Sequence, residues 1–143
     1  MTSDQHLTNV VEPKTLAAET LDGLGRGDVE AFVRHLAEDA TWELVGQDYL
    51  PAGPLFVGRE AILRDLVAMA AELYDLDSFD VNLKHLIADG PVVAAEFTLA
   101  ARTPSGKDYQ SDYVTVFTTA AGKVTSVREY TNTLYAKSIH ASD

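Results

Sequence analysis

The sequence has no cysteine among its 143 residues. Disulfide bonds and thiolate metal sites are therefore excluded, and a metal site would need His and carboxylate ligands. A chain of this length is typical of one domain, and it buries roughly 70% of the surface that the unfolded chain exposes. We therefore expect the packing of a hydrophobic core to stabilise the fold.

Basic residues are also scarce. The 11 Lys and Arg are outnumbered by 22 Asp and Glu, which gives a formal net charge of −11. Such a charge repels phosphate backbones and anionic lipid, so we expect no binding to nucleic acid or to membrane surfaces. The sequence has no apolar run near the roughly 20 residues that span a membrane, and its polar start lacks the regions of a signal peptide. We therefore expect a cytoplasmic protein.

The motifs of common cofactor sites are missing as well. The sequence contains neither of the two glycine-rich phosphate-binding motifs and no G-x-S-x-G nucleophile motif. Its His and acidic residues do not have the spacing of metal ligands. The sequence therefore predicts no cofactor and no bound metal.

Apolar residues at spacings of three and four predict three helices. The first begins at Pro13 and ends at a run of glycines, the second follows a capping Asp28, and the third and longest follows Gly58. Residues 1–11 are polar, and we expect them to form a flexible N-terminal arm.

From residue 79 onward the pattern changes to a period of two, which is typical of β-strands. Short turns separate the segments, so neighbouring strands should pair antiparallel. Together with a short strand at 41–45, the predicted strands are 79–88, 92–102, 107–119 and 123–131. We therefore predict a single α+β domain over residues 12–135, followed by a C-terminal tail at 136–143.

The loop at residues 46–57 contains two Pro and two Gly, yet it also carries aromatic and leucine side chains. That apolar content is unusual for a solvated loop. We expect this loop to cover a pocket.

Apolar residues occupy both faces of the predicted strand 92–102, with Val93 and Phe97 on one face and Val92 and Ala94 on the other. Three short helices can cover only one face of a sheet. We therefore expect a second copy of the chain to cover the other face, which predicts a homodimer through the outer face of the sheet.

Two stretches of the sequence carry a family resemblance: EDATWELVGQDYLPAGPLFVGREAI and DYVTVFTTAAGKVTSVREYTNTL. They resemble the SnoaL-like polyketide cyclases and the ketosteroid-isomerase-related proteins of the nuclear-transport-factor-2-like superfamily. The resemblance implies a cone-shaped fold, in which a curved, mostly antiparallel sheet is wrapped by three N-terminal helices around a central pocket. This fold hosts isomerases, hydrolases, cyclases and non-catalytic binding proteins, so it does not by itself fix the function.

The resemblance to ketosteroid isomerases places Leu44 where those enzymes have their general base. Their oxyanion-hole Tyr and protonated Asp correspond to Thr20 and Val114. Leu44 cannot abstract a proton, and the electrophilic assistance of the oxyanion hole is missing as well, so steroid isomerase activity is not expected.

The resemblance to limonene epoxide hydrolases is also incomplete. Glu96 corresponds to the Arg of that branch, and Thr98 and Glu129 correspond to its two Asp residues. Trp42 and Leu44 replace its Tyr and Asn. Only one carboxylate of that site is kept, so its mechanism is not inherited intact.

The same match implies that Glu96, Asp112 and Glu129 lie on the concave side of the sheet, where three carboxylates would converge. Carboxylates that share a desolvated site cannot all ionise cheaply, so one becomes an acid while a neighbour stays a base. We predict Asp112 as the base, Glu129 as the acid and Glu96 as the orienting group. The alternative is that these are solvated strand residues, with Glu129 in a surface ion pair with Arg128.

Further residues are candidates for contact with a substrate. His85 shares its strand parity with apolar neighbours, which favours a pocket histidine or, as the alternative, a hydrogen-bonded core residue. His6 and His140 fall in the predicted terminal arms and are given no role. The other predicted pocket residues are aromatic or come from the family match, with core packing as the alternative for the aromatic ones: Trp42, Tyr49, Phe56, Tyr74, Leu44, Thr98 and Val114.

These features predict a cofactor-independent cyclase, isomerase or epoxide hydrolase that acts on a bulky apolar molecule, polyketide-like or terpenoid-like, by carboxylate acid–base catalysis. The alternative is a non-catalytic protein that binds a small apolar molecule in the same pocket. A structural dimer module without a ligand is disfavoured by the apolar loop 46–57.

Overall fold

The computed structural model describes residues 11–141 of the chain. In that part, four helices and six strands follow one another in the order α1, α2, β1, β2, α3, β3, β4, β5, β6, α4. The helices are α1 at Pro13–Gly25, α2 at Val29–Val33, α3 in three consecutive pieces at Arg59–Ala61, Ile62–Leu66 and Val67–Leu73, and α4 at Thr133–Ala141. The strands are β1 at Leu36–Leu44, β2 at Leu55–Val57, β3 at Asp75–Asp89, β4 at Val92–Arg102, β5 at Asp108–Ala120 and β6 at Lys123–Thr131.

The six strands form one curved sheet in the order β2-β1-β6-β5-β4-β3. All neighbouring pairs are antiparallel except β1 and β6, which run parallel. The predicted α+β fold with its mostly antiparallel curved sheet is confirmed. The predicted N-terminal arm lies, apart from Val11, outside the described residues.

The first two helices are positioned by local sequence signals. Pro13 lies in the first turn of α1, where its missing N–H costs nothing. The Asp28 side chain caps α2 by accepting a hydrogen bond from the backbone N–H of Ala31 at 3.1 Å. Gly23 lets the helices touch, because a Cβ there would lie 2.5 Å from the backbone nitrogen of Phe32. This close contact sets one wall of the interior.

Strand alternation decides which face of the sheet is concave. In β4 the residues Val93, Ala95, Phe97 and Leu99 are buried, whereas their neighbours are exposed or half-buried. In β5 every second residue is buried, namely Tyr109, Ser111, Tyr113, Thr115, Phe117 and Thr119. Helix α1 packs against β3 and β4 over this face. The buried face is therefore the concave one, and the opposite face is convex and uncovered in the single chain.

Three local features differ from the sequence prediction. The apolar loop contains the short edge strand β2, which pairs with β1. The predicted C-terminal tail is wrong for residues 136–141, since they belong to α4, where Ala136 is buried and Ile139 packs on the core. The ladder between β3 and β4 shifts register between Leu83 and His85. No helix within residues 11–141 is long and apolar enough to cross a membrane.

Candidate active site

A cavity of about 100 Å³ lies between the concave face, helices α1 to α3 and the C-terminal helix α4. Every strand except β2 contributes to its wall. Most of the lining is apolar and includes Leu24, Phe32, Leu66, Met69, Leu73, Phe79 and Leu99. A few polar side chains interrupt this lining, namely Gln47, Tyr74, Tyr113, Glu129 and His140. An apolar cavity with a small number of placed polar groups is the usual form of a small-molecule site.

Glu129 on β6 is the one carboxylate that lines this cavity within residues 11–141. Burial disfavours its charged form and raises the pKa of the carboxyl from 4.5 to about 7. The Trp42 indole acts in the opposite direction, because its N–H favours the carboxylate. At neutral pH, Glu129 is therefore present in both protonated and deprotonated forms.

Strand pairing fixes the direction of the Glu129 side chain. Glu129 lies opposite Thr115 in the β5–β6 ladder, and Thr115 is fully buried on the concave face. On its other side the carbonyl of Glu129 accepts a hydrogen bond from the backbone N–H of Val45 at 3.0 Å. The adjacent Arg128 projects from the other face, where its Nε donates to Glu43 at 3.2 Å. The alternative of a Glu129–Arg128 surface pair is therefore excluded.

Four tyrosines and one histidine form a polar network beside Glu129. The two ring nitrogens of His140 are hydrogen-bonded to the hydroxyls of Tyr49, at 2.8 Å, and Tyr74. The hydroxyls of Tyr109 and Tyr113 are 2.6 Å apart. The Tyr109 ring stacks on His140 and is tilted against Tyr74. His140 thereby ties α4 to the apolar loop and to the start of β3.

Burial keeps these phenols neutral. It raises the pKa of Tyr113 and Tyr74 well above the ordinary value of 10, and nearby Tyr109 raises both further. Burial also raises the pKa of Tyr49, to about 12. At neutral pH the network can donate and accept hydrogen bonds, but its phenols are not bases.

Three buried polar side-chain atoms have no hydrogen-bond partner within the part of the chain that the structure describes. They are the Gln47 amide nitrogen, the Thr115 hydroxyl and the Trp42 indole nitrogen, which is near enough to Glu129 to lower its pKa but does not meet the geometry of a hydrogen bond. Buried polar groups are nearly always paired, so each exception calls for a reason. All three residues are near Glu129 in the sheet or in the turn that follows β1.

The predicted trio of carboxylates is not assembled. Glu96 and Asp112 lie on the convex face, where their side chains are 47% and 80% exposed. Glu96 pairs with His85 at 2.6 Å, and Asp112 accepts a hydrogen bond from Thr98 at 3.0 Å. The prediction that they share the pocket with Glu129 is wrong, because the aromatic face of β4 and β5 turns inward and carries the carboxylates outward.

The predicted pocket positions of His85, Thr98 and Val114 are wrong for related reasons. Thr98 and Val114 share the convex face with Glu96. His85 follows a bulge, so its parity is opposite to that of Leu83, and its side chain is 69% exposed. These residues form no part of the cavity.

The predictions for the aromatic and aliphatic residues of the pocket are more accurate than those for the carboxylates. Trp42, Leu44 and Tyr74 line the cavity. Tyr49 contacts the cavity residue His140 without lining the cavity itself. Phe56 is buried, but it faces a separate surface groove on the far side of the apolar loop. Its predicted contact with a substrate is therefore replaced by core packing.

Sequence reasoning missed Gln47, Tyr113 and His140. Tyr113 shares its strand parity with Phe117, which is a readable signal for the inner face. Ala136, Ile139 and His140 have helical spacing, but the predicted domain ended at residue 135. Gln47 has no sequence signal, because its position follows from a turn in which its backbone N–H donates to Leu44.

Comparison with known proteins gives a family and a fold. A family model described as the SnoaL-like domain matches residues 17–127. No curated protein matches the sequence. The family resemblance inferred from the sequence motifs is confirmed.

Solved structures agree with this family assignment. An NTF2-like protein from Burkholderia thailandensis E264 has a TM-score of 0.78 at 19% identity, covering 91% of this chain and 98% of that one. A putative SnoaL-like polyketide cyclase from Shewanella denitrificans OS-217 has a TM-score of 0.73 at 18% identity, covering 92% and 98%. A protein with a ketosteroid-isomerase-like fold from Catenulispora acidiphila DSM 44928, in complex with trimethylamine, has a TM-score of 0.71 at 14% identity, covering 88% and 92%. At these identities the likeness concerns the fold alone.

Proposed function

Since the chain belongs to the family of SnoaL-like domains, we propose that it is a cofactor-independent isomerase or cyclase that transfers a proton on a small, largely apolar carbonyl compound. The observation that carries the proposal is Glu129, a single carboxylate in an apolar cavity with its pKa raised to about 7. A group with a pKa near the working pH serves as base and acid in turn.

The proposed reaction starts when deprotonated Glu129 removes a proton from the carbon next to the substrate carbonyl. The electron pair of the broken C–H bond moves to the carbonyl oxygen, and an enolate forms. In an isomerase the substrate also carries a β,γ double bond, so the enolate is a dienolate; Glu129, now protonated, returns the proton to the γ carbon, and the double bond moves into conjugation with the carbonyl. In a cyclase, the enolate carbon attacks a second carbonyl of the same molecule, and the resulting alkoxide takes the proton.

The phenol of Tyr113 supports this proposal. It lines the cavity near Glu129 and stays protonated, because burial raises its pKa. When Tyr109 donates the hydrogen bond between the two hydroxyls, the hydrogen of Tyr113 is available to a substrate oxygen. A neutral donor aimed at a developing oxyanion stabilises it strongly in a site that excludes water.

Cavity size argues for a smaller substrate than the sequence predicted. A volume of about 100 Å³ lies below the roughly 300–1,000 Å³ of pockets for drug-sized ligands. A bulky polyketide would require the apolar loop or α4 to move. We therefore propose a compound of about one ring.

Hydrogen exchange into a simple ketone tests the proposal. Acetophenone has acidic C–H bonds next to its carbonyl and one ring. In D₂O at neutral pH, the protein should speed deuteration of its methyl group, as followed by mass spectrometry. Glu129→Gln should reduce the catalysed rate at least about 100-fold, because the base is removed. Glu96→Gln, the same change on the convex face, should keep the rate. Equal rates for Glu129→Gln and the unsubstituted protein would exclude Glu129 as the base.

A non-catalytic binding protein is the second candidate. It is favoured by the separation of the predicted carboxylates, which leaves Glu129 without a second carboxylate among the described residues of the cavity wall. In that case acetophenone would bind, but its deuteration would not exceed the rate with Glu129→Gln.

A further inference from the structure

The unpaired polar atoms around Glu129 are not equivalent. The Trp42 indole N–H favours the Glu129 carboxylate, which gives it a role within the protein. Thr115 is fully buried and does not belong to the cavity lining. Gln47 differs from both, because it lines the cavity, is only 5% exposed and keeps an unpaired amide nitrogen.

The backbone holds Gln47 beside Glu129. Val45, two residues earlier, donates its N–H to the Glu129 carbonyl at 3.0 Å. The Gln47 N–H donates to Leu44 at 3.1 Å, and the Gln47 carbonyl accepts from Leu50 at 3.3 Å. These bonds close consecutive turns directly after β1. The backbone of Gln47 is therefore held in place by the fold, while its side-chain amide nitrogen remains unpaired.

The charge of the cavity limits which ligand atoms can bind the Gln47 side-chain amide. Above the pKa of Glu129, about 7, the cavity holds a negative charge, so an anionic ligand would be repelled. An amide N–H requires a hydrogen-bond acceptor. A neutral carbonyl oxygen meets both conditions, and the rest of the ligand would contact the apolar wall.

We infer that the Gln47 side-chain amide binds the carbonyl oxygen of the substrate, so that the site selects small neutral ketones over hydrocarbons of the same shape. This inference rests on the proposed function and names its substrate class. Together with Tyr113, Gln47 would supply a second donor at the oxygen, while Glu129 reaches the adjacent carbon. A site built to hydrogen-bond an oxygen rejects an analogue that lacks it, because the buried donor is then left unpaired.

The test compares acetophenone with α-methylstyrene, in which a methylene group replaces the oxygen. Dissociation constants are measured in Glu129→Gln, so the result does not depend on catalysis. Adding Gln47→Met should lower the preference for the ketone, taken as the ratio of the two constants, by about tenfold. Comparing this ratio with and without Gln47→Met cancels the difference in hydrophobicity between the two probes, because that difference is the same in both variants. Gln110→Met, the same change at an exposed position of β5, should leave the ratio unchanged.

Two results would overturn the inference. One is a ratio that Gln47→Met does not change, which would mean that the amide binds only a buried water. The other is no binding of acetophenone up to its solubility. If Gln47→Met does not fold, the side-chain amide resonances of Gln47 in ¹⁵N-labelled protein replace it; they should shift with acetophenone and not with α-methylstyrene. If the unsubstituted protein does not speed deuteration, but Gln47→Met still lowers the preference for the ketone, the result counts against the proposed function and leaves the inference standing.

Discussion

Thr115 and Glu129 lie directly opposite each other in the β5–β6 ladder, on the concave face of the sheet. This pairing places one carboxylate among buried residues, while the neighbouring pair of Glu96 and Val114 in the β4–β5 ladder faces outward. The pairing of the strands therefore places Glu129 on the concave face and Glu96 on the convex face.

The raised pKa of Glu129 predicts a pH-dependent cost to stability. In the folded protein its pKa is about 7, against 4.5 ordinarily. The folded state therefore holds this proton more tightly, so the stability that Glu129 contributes is fully present below pH 4.5 and is lost as the pH rises to about 7. A shift of this size corresponds to about 3 kcal/mol. Glu129→Gln should remove that cost, so its gain in unfolding free energy over the unsubstituted protein should grow between pH 5 and pH 8.

Denaturant unfolding at a series of pH values measures this difference. Glu72→Gln is the matched control, since its side chain is exposed on α3. The gain from Glu72→Gln should not grow over the same pH range. A constant difference between Glu129→Gln and the unsubstituted protein would mean that Glu129 ionises like a solvated carboxyl.

Catalysed deuteration should follow the ionisation of Glu129 in the opposite direction. A base works only when deprotonated, so the rate should rise with pH and level off above about 7, the pKa of Glu129. The phenols of the network cannot produce this transition, because their pKa values are raised above 10. A rate that is already level at pH 5 would point to a different base.

The contrast between prediction and structure has specific physical causes. The limits of β4 and β6 follow from period two and from their glycine turns, so the sequence predicts them well. The inner face does not follow in the same way, because both faces of β4 carry apolar residues. His85 was misplaced by a bulge that no periodicity reveals. Gln47 and His140 reach the cavity through a turn and a distant helix, which local patterns do not connect.

The convex face carries exposed apolar side chains, and we expect it to mediate self-association, as the apolar pattern of its strands suggested. Ile87 is 65% exposed and Val114 40% exposed, and the pair of Lys84 and Asp112 places both signs of charge on the same sheet. We propose that two copies bury this face against each other. Light scattering should give twice the chain mass of 15.5 kDa. Val114→Lys should reduce the mass to one chain, whereas Leu63→Lys on α3 should not. A single-chain mass for the unsubstituted protein at micromolar concentration would refute the dimer.

His140 should hold α4 against the cavity. Its two ring nitrogens are bonded to Tyr49 and Tyr74, and the Tyr74 hydroxyl is buried. His140→Phe keeps an aromatic ring but leaves Tyr74 without this partner, which should cost about 1–3 kcal/mol of unfolding free energy. Amide exchange over Thr133–Ala141 should also become faster. Lys137→Ala, at an exposed position of the same helix, should change neither quantity by a comparable amount. If the amides of α4 exchange as slowly in His140→Phe as in the unsubstituted protein, His140 does not hold the helix in place.

The most direct measurement is the pKa of Glu129 in the folded protein. Carboxyl carbons of ¹³C-labelled glutamate are titrated by NMR, and the Glu129 resonance is assigned by its disappearance in Glu129→Gln. Glu129 should titrate near pH 7. A midpoint in the ordinary range of Glu, near 4.3, would contradict the claim that this carboxylate works as acid and base inside the cavity.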